Sequence, residues 1–172
     1  MLPAPGAAAD CASLDGTYRD ESAAAKGEPP RHLSDLTTGP ERRKLFQVEA
    51  RPAPGGLAPT QPIQRPKVTH LAATVKLTHT RGGTSLRFLD AAGKPLADLG
   101  LNATGRWTCK DAHLERRSER AAGLGEVMRT ERVEERLERN SAGDLVYRET
   151  LTVIKPPGGK PKVTEARFPA AR

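Results

Sequence analysis

From Val68 onward the side chains change character at every second residue, and this alternation restricts the chain to one broad kind of fold. In Val68-Thr-His-Leu-Ala-Ala-Thr-Val-Lys-Leu-Thr-His-Thr80, Leu71, Ala73, Val75 and Leu77 share one parity, while Thr74, Lys76 and Thr78 share the other. A period of two places one set on each face of a half-buried strand. Arg81-Gly-Gly-Thr84 supplies a turn, and Ser85-Leu-Arg-Phe-Leu-Asp90 a second strand with Leu86 and Phe88 on one face. Ala91-Ala-Gly-Lys94 turns again before an extended piece at 95–101. Arg106-Trp-Thr-Cys-Lys110 is short, with Trp107 and Cys109 facing the same way. The closing pair is clearest: Leu145, Tyr147, Leu151 and Val153 share a parity, Lys155-Pro-Pro-Gly-Gly-Lys160 turns, and 162–168 returns.

Residues 114–139 admit two readings. Leu114, Ala121, Leu124, Met128, Val133 and Leu137 can be drawn as an imperfect helical stripe. Gly123 and Gly125 interrupt it, and the i,i+4 pairs Arg116/Arg120, Glu131/Glu135, Arg132/Arg136 and Glu134/Glu138 are like-charged. Val133, Glu135 and Leu137 also alternate with Glu134, Arg136 and Glu138 ahead of the turn Asn140-Ser-Ala-Gly143. Strand is favoured over helix, and the helix stays open. The fold expected is mainly β: an antiparallel meander forming a small barrel or a strongly curved sheet, with a short helix near 31–37.

Composition bears on how firmly such a sheet can hold together. Leu, Ile, Val and Phe make up 31 of 172 residues, 18%, under the ~20% at which disorder becomes a serious reading. The core must be thin. Ten of the 15 prolines lie in residues 1–66, which are charge-neutral, and residues 67–172 carry the whole net charge of +7. The chain divides accordingly: a tail at 1–9, a strand and short helix within 10–50, a Pro/Gly-rich loop or linker at 51–66, and an antiparallel β-domain at 67–172. The tail and roughly 50–66 are expected to be poorly ordered, because they cannot bury enough apolar surface to offset ordering entropy. No apolar run approaches the ~18–20 residues of a membrane-spanning helix.

Met1-Leu-Pro-Ala-Pro-Gly-Ala-Ala-Ala9 reads as the end of a secretory signal peptide, with Ala7 and Ala9 matching the A-x-A cleavage pattern before Asp10. The expected location is therefore periplasmic or secreted. Two cysteines in an exported chain usually pair, so a Cys11–Cys109 disulfide is expected. Lipid anchoring through Cys11 is the weaker alternative, since Asp10 precedes it where lipoprotein signals want a small uncharged residue.

Cys11-Ala-Ser-Leu-Asp-Gly-Thr-Tyr-Arg19 is similar to the opening of small uncharacterised periplasmic proteins and lipoproteins of Gram-negative bacteria, which begin with a cysteine and a Leu-x-Gly-x-Tyr strand. Leu14, Gly16 and Tyr18 match that opening, His32-Leu-Ser-Asp-Leu36 their short helix, and Trp107-Thr-Cys109 their later aromatic-and-cysteine strand. The same opening resembles lipocalin-like barrels. The resemblance implies a compartment and a fold, with no catalytic residues to carry over.

No phosphate-binding glycine loop, nucleophile elbow or paired cysteine motif is present in the sequence. His70 and His79 differ in parity and would lie ~30 Å apart along an extended strand, too far to share an ion. With His113 and Asp111 they read as surface polar groups, so no metal or other cofactor is expected. Residues 106–139 mix nine basic with eight acidic side chains, which cancel beyond ~10 Å in salt. The C-terminal hairpin is less balanced. Arg148, Lys155, Lys160, Lys162 and Arg167 form a candidate anion-binding patch. Six aromatics are too few to stack bases, so nucleic acid is disfavoured. The function expected is non-catalytic: an envelope β-domain that binds a small apolar ligand or an envelope partner. The alternatives are a structural or stress-related role without a ligand, and weak binding to anionic envelope surfaces through the basic hairpin.

Overall fold

A computed structural model describes residues 11–38, 46–51, 61–66, 72–101 and 107–172, and these are built mainly of antiparallel strands. A 3-10 turn, Cys11–Leu14, leads into β1 (Gly16–Arg19) and the short helix α1 (Leu33–Thr38). Then come β2 (Phe46–Arg51), β3 (Gln61–Pro66), β4 (Thr74–Thr80), β5 (Gly83–Leu89) and β6 (Pro95–Gly100). The remainder is β7 (Thr108–Lys110), β8 (His113–Ala122), β9 (Arg129–Arg139), β10 (Leu145–Lys155) and β11 (Lys162–Phe168).

One sheet has the order β1-β4-β5-β6 and the other β11-β10-β9-β8-β7. Past β11 the chain runs along the free edge of β1: Arg19 N–H donates to Pro169 O and Ala171 N–H to Thr17 O, both at 2.8 Å. Nine strands therefore follow one another in chain order, which is the expected meander. The barrel alternative does not hold. Among the described residues β6 and β7 are not paired, and the sheets stay two rather than closing into one. β2 and β3 form a separate hairpin, so 61–66 is strand within the stretch read as a linker. Pro62 and Pro66 share a parity there, which places both missing N–H groups on the same edge. Residues 1–9, and 52–60 of the proline-rich stretch, lie outside the described residues.

The 114–139 region is a hairpin, and register shows why. The like charges that would crowd a helix become opposite charges across β8 and β9: Glu115↔Arg136, Arg116↔Glu135, Arg117↔Glu134, Glu119↔Arg132 and Arg120↔Glu131. Directly opposed unlike charges favour a sheet pairing where like charges would oppose it.

One apolar cluster lies between the two large sheets. Val75, Leu77, Leu86 and Phe88 enter it from β4 and β5, Leu114, Leu137, Leu145, Tyr147 and Phe168 from β8 to β11, and Trp107 from just before β7. Cys11 and Leu14 pack into the same cluster, and Tyr18 Oη donates to Leu14 O at 2.6 Å. The cysteines form the expected disulfide, with Cα atoms 6.0 Å apart, tying the 3-10 turn to β7.

Two buried carboxylates tie separate segments together, Asp20 at α1 and Asp144 at the C-terminal segment. Asp20 accepts from Ser34 N–H at 2.7 Å and Ser34 Oγ at 3.0 Å, fixing the start of α1 so that Leu33 reaches the core. Burial raises its pKa, opposed by those hydrogen bonds and by His32. Asp144 accepts from Ala170 N–H and from Arg167, which together hold its carboxyl below the usual range. A carboxyl lowered in the folded state contributes stability fully above the ordinary carboxylate range, and loses it as pH falls through and below that range. Asp20 has the opposite sign, its contribution being full in acid and lost as pH rises.

Candidate functional site

Four places on this frame have chemistry to offer: the interior, the outer face of the five-stranded sheet, the hairpin lysines, and the far end of the ribbon formed by β8 to β11. Between the sheets Trp107, Phe88, Tyr18, Tyr147 and Phe168 are fully buried. Among the described residues these side chains pack against one another as one buried cluster.

Next to this apolar layer lies a charged one. Glu135, only 8% exposed, accepts from Arg116 Nε at 2.5 Å and Nη2 at 2.6 Å, and from Tyr147 Oη at 2.7 Å. Arg116 lies over the Trp107 ring, 4.6 Å from its centroid, and also donates to Leu36 O at the end of α1. Arg31 covers the Tyr147 ring at 5.0 Å. Tyr147 Oη is also 3.1 Å from Glu149, so its single proton is shared between two carboxylates. Burial first, then the negative charges of Glu135 and Glu149, push that phenol far above its ordinary pKa. Tyr147 is a fixed donor at neutral pH and not a base. The layer is closed on itself, and it joins the sheet to the α1 segment.

On the outer face, a groove of about 680 Å³ runs across β7 to β10. Its walls are charged and polar: Lys110, Glu115, Arg117, Glu134, Arg136 and Arg148. Several of these are already paired, Arg117 with Glu134 at 3.9 Å and Arg148 with Glu165 at 3.1 Å. The volume suits a small ligand, but such sites are ordinarily lined mainly by apolar and aromatic groups.

The five-residue basic patch divides in the structure. Arg148 is held by Glu165 and by Glu138 at 3.6 Å, and Arg167 by Asp144 at 2.6 Å near the opposite end of β11. Lys155, Lys160 and Lys162 are exposed, and no ion pair joins them to a carboxylate among the described residues. His79 Nδ1 is 2.8 Å from Thr84 Oγ1; His113 is buried rather than a surface group, its Nε2 3.0 Å from Glu115. Asp111 lies in the β7–β8 turn and His70 outside the described residues, among which no three metal-ligating groups converge.

The three lysines are gathered at the far end of the ribbon. In β9, Thr130 faces both Ala121 of β8 and Lys155 of β10, so the 123–128 and 156–161 turns project from the same end. The 123–128 turn requires glycine. Gly123 has φ +112°, and a Cβ there would meet Val127 O at 2.0 Å. Val127 N–H donates to Leu124 O at 3.2 Å, closing the turn. Its apolar side chains face water: Leu124 is 89% exposed, Val127 78% and Met128 54%. Leu124 and Met128 belong to the helical stripe that the sequence leaves open as the less favoured alternative to strand. The two flanking glycines were the signal that they belong to a turn instead.

No protein-family model, curated protein or solved structure was found to match the chain.

Proposed function

We propose that this protein is a non-catalytic binding module of the Gram-negative envelope that holds an anionic partner through Lys155, Lys160 and Lys162. The observation that carries the reading is the division of the patch, because among the described residues no ion pair joins these exposed lysines to a carboxylate while Arg148 and Arg167 are paired. The disulfide supports an exported chain, since such bonds persist in oxidising compartments. The A-x-A pattern before Asp10 and the Leu14, Gly16 and Tyr18 opening point the same way. Large side chains pack together between the sheets among the described residues, which counts against a small apolar ligand there, and the Glu135 carboxylate is taken by Arg116 and Tyr147.

Point charges on flexible lysine stems bind weakly and without fixed geometry, so affinity comes from several acting together and falls with salt. The full chain should be retained on a sulfonate resin and elute at lower salt after Lys155→Glu/Lys160→Glu/Lys162→Glu. Arg148→Gln/Arg167→Gln should elute nearly as wild type. If the lysine triple elutes with wild type, these residues are ordinary surface and the reading fails.

A further inference from the structure

The end of the ribbon that carries the lysines also carries exposed apolar surface, and we infer that it is a membrane-docking edge. Leu124, Val127 and Met128 enter the headgroup–acyl boundary of an anionic phospholipid bilayer, and Lys155, Lys160 and Lys162 meet its phosphates. The inference rests on the anion-binding reading above and names the bilayer as the partner.

Single exposed apolar residues are common and need no explanation. Three on one six-residue turn, beyond the last strand pair Ala122↔Arg129, are a different matter. The turn is held in shape by Gly123, and all six of its residues are exposed beyond the end of the β8–β9 ladder. Within residues 120–131 and 153–163, which form this end, Arg120, Arg129, Lys155, Lys160 and Lys162 stand against Glu126 and Glu131. Glu131 is itself taken by Arg120 at 3.0 Å and Arg129 at 2.6 Å. The lysines therefore set the sign of the rim. An apolar tip within a cationic rim is the pattern of interfacial binding, where buried apolar area and attraction to anionic lipid add. A second copy of the chain fits less well. Three side chains on one turn fall well short of the ~800 Å² per partner of a stable interface, and the lysine rims would face each other.

The test uses the full chain with vesicles of phosphatidylcholine alone, or of equal parts phosphatidylcholine and phosphatidylglycerol. Wild type should bind only the anionic vesicles. Leu124→Ser/Val127→Ser/Met128→Ser should bind them at least about tenfold more weakly while eluting from sulfonate resin with wild type. The lysine triple should lose on the order of a hundredfold. Brominated lipid should quench the indole introduced in V127W, whereas Trp107 lies buried in the core. Because the substituted side chains are exposed and Gly123 is retained, thermal midpoints of all variants should match wild type.

Undiminished vesicle binding by the serine triple, or an unquenched V127W indole, would overturn the insertion and leave the lysine reading standing. Wild-type behaviour of the lysine triple on both resin and vesicles would remove both. A wild-type dimer that the serine triple dissociates would assign the turn to self-contact and overturn the inference.

Discussion

Replacing Cys11 and Cys109 together by alanine is expected to lower stability by about 2–5 kcal/mol, enough to unfold much of the population of a thinly cored domain. The bridge joins residues 98 positions apart, so it removes a large loop's worth of freedom from the unfolded chain. Its position adds to the effect. Cys11 and Leu14 are core residues, and β1 just beyond them is the strand that pairs with β4 on one edge and with residues 169–171 on the other. Releasing the 3-10 turn loosens the strand through which the two sheets meet. Urea unfolding of the variant, and of wild type with and without reductant, measures the difference. A change below about 0.5 kcal/mol would mean that the apolar cluster holds this segment without the bond.

The second large effect concerns Glu135. Glu135→Ala is expected to cost about 3 kcal/mol or more, because it leaves the Arg116 guanidinium largely buried with Leu36 O as its one remaining acceptor among the described residues and removes an acceptor of Tyr147. The loss belongs to the stranded charge more than to the pair. Arg116→Met/Glu135→Leu, which removes both charges and keeps apolar volume, should therefore recover most of it. A double variant as unstable as Glu135→Ala would show that the layer contributes through its hydrogen bonds to Tyr147 and α1.

Strands at 74–80 and 83–89 are legible in the sequence because each has a more buried and a wetter face, and a period of two records that directly. The 162–168 strand alternates in its second half, and 145–155 alternates in sequence although Leu145, Val146 and Tyr147 are all buried. The expected helix near 31–37 is found as Leu33–Thr38. The 114–139 region was ambiguous because its charges dominate its apolar residues, and charge pairs read along the chain look repulsive. Folded about 125–126, every charge from Glu115 to Arg120 meets its opposite, a test that needs a trial register rather than a periodicity. Parity placed Glu135 between Val133 and Leu137 on the core face, but it did not reveal Arg116, Tyr147 or Arg31 as partners, since these come from distant strands and a loop. The anionic partners of the patch were hidden in the same way. Arg148↔Glu165 follows from the hairpin register, whereas Arg167–Asp144 links the two ends of that hairpin's long arms.

Where the working surface lies can be tested most directly by hydrogen–deuterium exchange of the full chain with and without anionic vesicles. Protection is expected at residues 123–130 and 153–163, the two turns and the strand ends that carry them, with the sheets unchanged elsewhere. Protection centred instead on the outer groove, at 108–117 and 134–150 with the two turns unaffected, would contradict the assignment of binding to the ribbon's far end.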